Sequence, residues 1–181
     1  MNYLNIYRDC ISDGPGVRVS LYVSGCRNHC PGCHNKESWD FAAGQEFTDK
    51  NLEDILSFCD HDYIKGLTIC GGEPFEEENQ ETVCLVLRAF KEKFPEKDVW
   101  IYTGYEFNDL LLNGKKHTSY TYEILDLASI LIVGPFIQEE RDITSENIWR
   151  GSRNQRIIKS KESMLHQKQI PLEDISNNKV D

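Results

Sequence analysis

Apolar and polar positions alternate along this chain in two rhythms. Short apolar and β-branched runs at Val17 to Val23, Leu67 to Cys70, Val99 to Thr103 and Ile130 to Val133 read as strands. Between them lie longer stretches with an apolar residue every three or four positions. Leu52, Ile55, Leu56 and Cys59 follow helical spacing behind Thr48, a candidate N-cap, with Phe47 and Leu52 set for a hydrophobic staple. Glu77 to Lys93 reads as a second helix with Val83, Val86 and Phe90 on one face, ended by Phe94-Pro95. Shorter helical pieces are predicted at about 106–112 and 121–128. Gly134-Pro135 stops the fourth strand, and Gln155 to Lys159 is a candidate fifth.

Strands separated by helices imply βαβ crossovers and a mainly parallel sheet. A closed eight-unit barrel typically needs about 250 residues, and this chain has 181. The expected fold is therefore α/β, a partial (βα) barrel: an open, curved, mainly parallel sheet with helices on its outer face. Residues 1–160 form the expected domain, and 161–181 are expected to be a polar, loosely ordered tail. In such folds chemistry sits at the carboxyl ends of the strands. Two motifs fall there: a cysteine-rich loop after the first strand and a Gly-Gly-Glu-Pro turn after the second.

Composition narrows the functions. A formal net charge of −10 argues against broad binding to a nucleic-acid backbone, which needs a basic surface. The stretch from Arg150 to Lys161 is a local exception, with Arg150, Arg153, Arg156, Lys159 and Lys161 and no acidic residue. It is open between a solvated basic surface and a docking or anion-binding face. No apolar run is long enough to cross a membrane, and Met1-Asn2-Tyr3-Leu4 has no secretory pattern, so a cytoplasmic location is expected. The seven cysteines are an odd number, which argues against a disulfide framework. Cys59 and Cys84 lie on apolar helix faces and read as buried, inert thiols.

Three of the seven stand together, as Cys26-Arg27-Asn28-His29-Cys30-Pro31-Gly32-Cys33, with the spacing C-x3-C-x2-C. Thiolates suit zinc or iron–sulfur clusters. A structural zinc site wants four ligands, and His29 or His34 would have to complete it. A four-iron cubane held by three thiolates leaves one iron open for a ligand. Free thiols are the third reading. In Leu67-Thr68-Ile69-Cys70-Gly71-Gly72-Glu73-Pro74 the glycines allow backbone to approach a ligand closely. Glu73 either adds an acceptor or fixes the turn, and an ordinary tight turn is the plain reading of the motif taken alone.

Taken together, these residues resemble the radical S-adenosylmethionine (SAM) superfamily. Asp13-Gly14-Pro15-Gly16-Val17-Arg18 resembles the segment before the first strand in glycyl-radical-enzyme activases. Cys30-Pro31-Gly32-Cys33-His34-Asn35-Lys36, with Trp39, continues the likeness. Thr103-Gly104-Tyr105 and Trp149-Arg150-Gly151-Ser152-Arg153-Asn154-Gln155-Arg156 are similar to the activating proteins of anaerobic (class III) ribonucleotide reductases. The likeness spans most of residues 1–160. Two positions depart from it: His34 stands where many members carry another aromatic, and Cys70 where serine is usual. Cys70 is thereby a candidate oxidation-sensitive thiol near the cluster, its function left open.

The resemblance implies a [4Fe-4S] cluster with three irons on Cys26, Cys30 and Cys33 and SAM on the fourth. Gly32, Cys33 and His34 would lie against SAM, and Gly71, Gly72 and Glu73 would hold its ammonium group. It implies reductive cleavage of SAM and a glycyl radical left on anaerobic ribonucleoside-triphosphate reductase as partner, with a flavodoxin-like electron donor. An activase of the pyruvate formate-lyase type and a non-catalytic zinc-binding module are the alternatives.

Overall fold

The computed structural model describes residues 1–141 and 149–172. Within these residues seven strands form one sheet: β1 (Asn2–Cys10), β2 (Val17–Val23), β3 (Gln45–Glu46), β4 (Ile64–Gly71), β5 (Asp98–Tyr102), β6 (Ile130–Val133) and β7 (Arg156–Lys159). Their order is β3-β1-β2-β4-β5-β6-β7. The four central strands, β2, β4, β5 and β6, run parallel. The expected parallel sheet is confined to this centre, because β1, β3 and β7 join it antiparallel.

Among the described residues five α-helices accompany the sheet: α1 (Asp49–Cys59), α2 (Glu77–Lys93), α3 (Phe107–Leu110), α4 (Thr121–Leu127) and α5 (Ser160–His166). Parallel crossovers are right-handed, which puts successive linking helices on one side of a sheet. Accordingly α1 packs on α2, α2 on α4 and α4 on α5. At the start of α1 the Thr48 backbone N–H donates to Asn51 Oδ1 at 2.8 Å, satisfying one of the donors a helix end leaves open.

Side chains alternate across a strand. Val19, Leu21 and Val23 of β2 and Leu67 and Ile69 of β4 enter a core shared with Ile55, Val83, Leu87 and Phe90 of the helices. Each such fully buried side chain contributes roughly 1.5–3 kcal/mol. Cys59 and Cys84 are buried in this layer as expected, and burial pushes their thiols up to about 12 and about 11. The alternate residues, Arg18, Ser20 and Tyr22 of β2 and Thr68 and Cys70 of β4, point to the other face. There Trp100, Ile130 and Ile132 make a second, smaller apolar cluster.

Three elements depart from the expected pattern. β1 and β3 carry too few buried apolar residues to announce themselves; β1 is held by pairing with β2 across the Asp13 turn. Residues 161–172, expected to be a loose tail, continue the fold. The Ser160 hydroxyl donates to the Leu125 carbonyl at 2.7 Å, Met164 packs on the core, and the Leu172 N–H donates back to Ile157 at 3.0 Å. The rest of that tail, 173–181, lies outside the described residues. Among the described residues no helix is long and apolar enough to cross a membrane.

Candidate cluster and cofactor site

At the carboxyl ends of the central strands the chain surrounds a cavity of about 540 Å³. The cysteine loop leaves β2 and folds back on itself: the Gly25 and Cys26 N–H groups donate to the Ser38 and Trp39 carbonyls at 2.8 and 3.1 Å. Gly25, at φ 91°, is packed so closely under Phe41 that a Cβ would collide with the ring. Cys26 is buried, Cys30 and Cys33 are half-buried, and all three border the cavity. Burial pushes the Cys26 thiol up to about 11, with the Glu73 charge adding to the shift against N–H groups of the loop. The Cys33 N–H donates to the Cys30 carbonyl at 3.1 Å, and the Asn35 N–H to the Cys33 sulfur at 3.4 Å.

His34 is exposed at the cavity edge. His29 is stacked on Trp39 with ring centres 4.5 Å apart. Gly32 does not border the cavity; at φ 73° it faces Gln138, whose side chain a Cβ would strike. Among the described residues no three His, Cys, Asp or Glu side chains converge on a single metal-ion position.

The Gly-Gly-Glu-Pro turn packs directly against the cysteine loop. The Gly72 N–H donates to Val23 at 2.7 Å and the Glu73 N–H to Gly25 at 2.9 Å. A Cβ on Gly72 would lie 2.7 Å from the Gly25 carbonyl oxygen, and Gly71, at φ 98°, presses on the Tyr22 backbone. The glycines thus permit close approach of two pieces of backbone. Glu73 is buried, and its carboxylate accepts from Phe75 N–H (3.0 Å), the Thr103 hydroxyl (2.8 Å), Gly104 N–H (2.8 Å) and the Asn28 amide (3.3 Å). Burial pushes its carboxyl up to about 7 against these donors. Four donors from inside the protein thus meet its two carboxylate oxygens, which tie the turn to Thr103, Gly104 and Asn28.

The floor is made by the polar face of the sheet. The Tyr22 hydroxyl and the Ser12 hydroxyl each donate to Asp13 at 2.9 Å, and the Cys70 thiol lies 3.9 Å from the same carboxylate. Burial raises the Tyr22 hydroxyl and the Cys70 thiol well above their ordinary values. Burial on the cavity floor beside the Asp13 carboxylate disfavours the thiolate form of Cys70. Asp13 is placed by its carbonyl, which accepts from Thr68 at 2.9 Å. Thr68 in turn accepts from buried Arg18 at 2.7 Å, and Arg18 pairs with Asp98 at 2.5 Å. The fourth side is closed by Trp149 to Gln155. Gln155 accepts from the Gly151 N–H at 2.8 Å and donates to Gly134 at 2.9 Å.

Local sequence reasoning singled out the cysteines and the glycines but not Asp13 or Asn28 as site residues. The only local signal for Asp13 was its place before Gly14-Pro15-Gly16.

The donor chemistry suits an iron–sulfur group. Three soft thiols border one cavity, and the buried Asn35 Nδ2 beside them has no partner among the described residues, leaving a donor for an anionic ligand. The fold and site define an α/β iron–sulfur protein, and a family model described as "4Fe-4S single cluster domain" matches residues 12–158. Curated relatives include the anaerobic ribonucleoside-triphosphate reductase-activating proteins of enterobacteria phage T4 (37% identical; 87% of this chain, 93% of the relative), Haemophilus influenzae (39%; 89% and 99%) and Escherichia coli (35%; 86% and 96%). The chain belongs to this family of activating proteins.

Proposed function

We propose that this chain is a radical SAM activase that generates a glycyl radical on anaerobic ribonucleoside-triphosphate reductase. The observation that carries the reading is the set of three thiols around one cavity at the end of β2, braced by the Gly-Gly-Glu-Pro turn. Cys26, Cys30 and Cys33 hold three irons of a [4Fe-4S] cluster and leave the fourth to SAM. When bound, the reduced cluster would supply the electron for reductive cleavage of SAM to methionine and the 5′-deoxyadenosyl group that would take the glycine hydrogen atom.

The chain's own residues bind and orient. Cys33 and His34 lie against the cofactor from the loop side, with Gly32 setting the turn between them and Cys30. Gly71 and Gly72 offer backbone to the methionine ammonium, and Glu73 holds that backbone through Thr103 and Gly104. A flavodoxin-like protein is the electron donor. The basic stretch 150–161 helps dock the reductase or the donor: Arg150 borders the cavity, Arg153 and Arg156 are exposed, and Lys161 is paired with Asp126 at 2.7 Å.

The test is anaerobic reconstitution with iron and sulfide, followed by SAM and a strong reductant. Four irons and four sulfides per chain, 5′-deoxyadenosine as product and a glycyl-radical EPR signal on added reductase are expected. One zinc per chain without sulfide would overturn the reading. Charge reversal at Arg153 and Arg156 is expected to slow activation and weaken its salt dependence.

A further inference from the structure

Beneath the cysteine loop lies a second buried carboxylate that none of the motifs includes. Glu76 precedes α2 and is fully buried. Its carboxylate accepts four hydrogen bonds: from the Arg27 backbone N–H (2.9 Å), the Arg27 guanidinium (2.8 Å), the Tyr105 hydroxyl (2.7 Å) and Lys116 Nζ (2.7 Å). Although burial pushes the other way, the Lys116, Tyr105 and Arg27 bonds hold its carboxyl below the usual range, so it is an anion at neutral pH. Two cations balance it, and one of them, Arg27, also pairs with Glu78 at 2.6 Å and lies over the Phe41 ring at 4.3 Å.

The position of Arg27 gives these bonds a consequence. Arg27 follows Cys26 directly, so a bond to its N–H fixes the peptide plane that carries the Cys26 carbonyl and limits the rotation of the Cys26 backbone. Asn28, the next residue, is tied to Glu73. The two carboxylates stand three residues apart, on either side of Pro74-Phe75, and grip successive residues of the loop. We propose that Glu76 is a positioning residue for the cluster, anchoring Arg27 so that the Cys26 thiolate is aimed before iron arrives. Partners that orient metal ligands in this way commonly change metal affinity by about 10–100-fold when removed. The proposal rests on the cluster reading above and extends it to a residue that touches no metal.

The experiment compares Glu76→Ala, Glu76→Gln and Lys116→Ala with the unaltered chain after anaerobic reconstitution. It measures the rate at which a ferrous chelator strips the cluster, the EPR spectrum of the reduced cluster, and thermal unfolding of the iron-free protein. Expected are a roughly tenfold or greater acceleration of stripping in Glu76→Ala with a broadened EPR spectrum. Glu76→Gln keeps one oxygen for the Arg27 N–H and should fall in between, and it serves alone if Glu76→Ala does not fold. Lys116→Ala loosens the same carboxylate away from the cysteine loop and should strip within about twofold of the unaltered chain. Unchanged stripping in both Glu76 variants, or equal acceleration in Lys116→Ala, would overturn the positioning role while leaving the cluster intact in the parent chain. A parent chain that binds no iron and sulfide would instead remove the cluster reading, and the proposal with it.

Discussion

The two faces of the central sheet are built from the same strands and meet opposite demands. Toward the helices, Val19, Leu21, Leu67 and Ile69 are fully buried in apolar surroundings, and nothing there needs a specific partner. Toward the cavity, the neighbouring residues Arg18, Tyr22, Thr68 and Cys70 are polar or titratable and mostly buried, and each is held by a named bond. The apolar face contributes stability that is broadly distributed and tolerant of detail. The polar face depends on a connected network, in which a bond removed leaves a buried group without a partner. The lesson is that loss of stability and loss of function should separate by face.

The largest separation is expected at the cysteine trio. Cys26→Ser should abolish cluster assembly and 5′-deoxyadenosine formation. It should shift denaturant unfolding of the iron-free protein by only about 1 kcal/mol. On the opposite face, Phe90→Ala deletes a fully buried ring and should cost about 3–5 kcal/mol in urea unfolding. At temperatures where it remains folded, its iron content should match that of the parent. If Phe90→Ala lost iron before it lost structure, the two faces would not be separable.

Gly72→Ala probes the seam between the motifs. Its methyl group would lie 2.7 Å from the Gly25 carbonyl, so the turn and the cysteine loop must part, at a cost of about 1–3 kcal/mol. Cluster uptake should suffer more than overall stability, as measured by iron content against urea midpoint. The smallest effect concerns the rim pair. The Arg27 bonds hold the Glu78 carboxyl at about 2, below its ordinary 4.5. A depressed folded-state value means that this stabilisation is present above 4.5 and lost as pH falls toward 2. With both groups half exposed, it should amount to less than about 1 kcal/mol, seen as a slightly flatter acid limb in Glu78→Gln.

Legibility in the sequence followed the same division. α2 and β6 stand where periodicity predicted them, to the residue, because each carries a dense apolar stripe. β2 matches as well. β1 was missed because its stabilisation comes from pairing with β2, with only Tyr3 fully entering the core. α5 was missed because its buried positions are Ser160 and Ser163, polar residues whose hydroxyls bond to backbone outside the helix. At the site, the three cysteines and the glycine turn were visible from spacing. Asp13, Asn28 and Glu76 were not, since each acts through a partner far along the chain.

From its residues alone the chain specifies an alternating α/β order, a C-x3-C-x2-C loop and a Gly-Gly-Glu-Pro turn, because local periodicity and local spacing encode these directly. Only the folded arrangement decides that Glu73 is met by internal donors, that Cys70 is buried beside Asp13, and that Glu76 grips Arg27. Such properties depend on burial and on hydrogen bonds between groups dozens of positions apart, and no local pattern carries them.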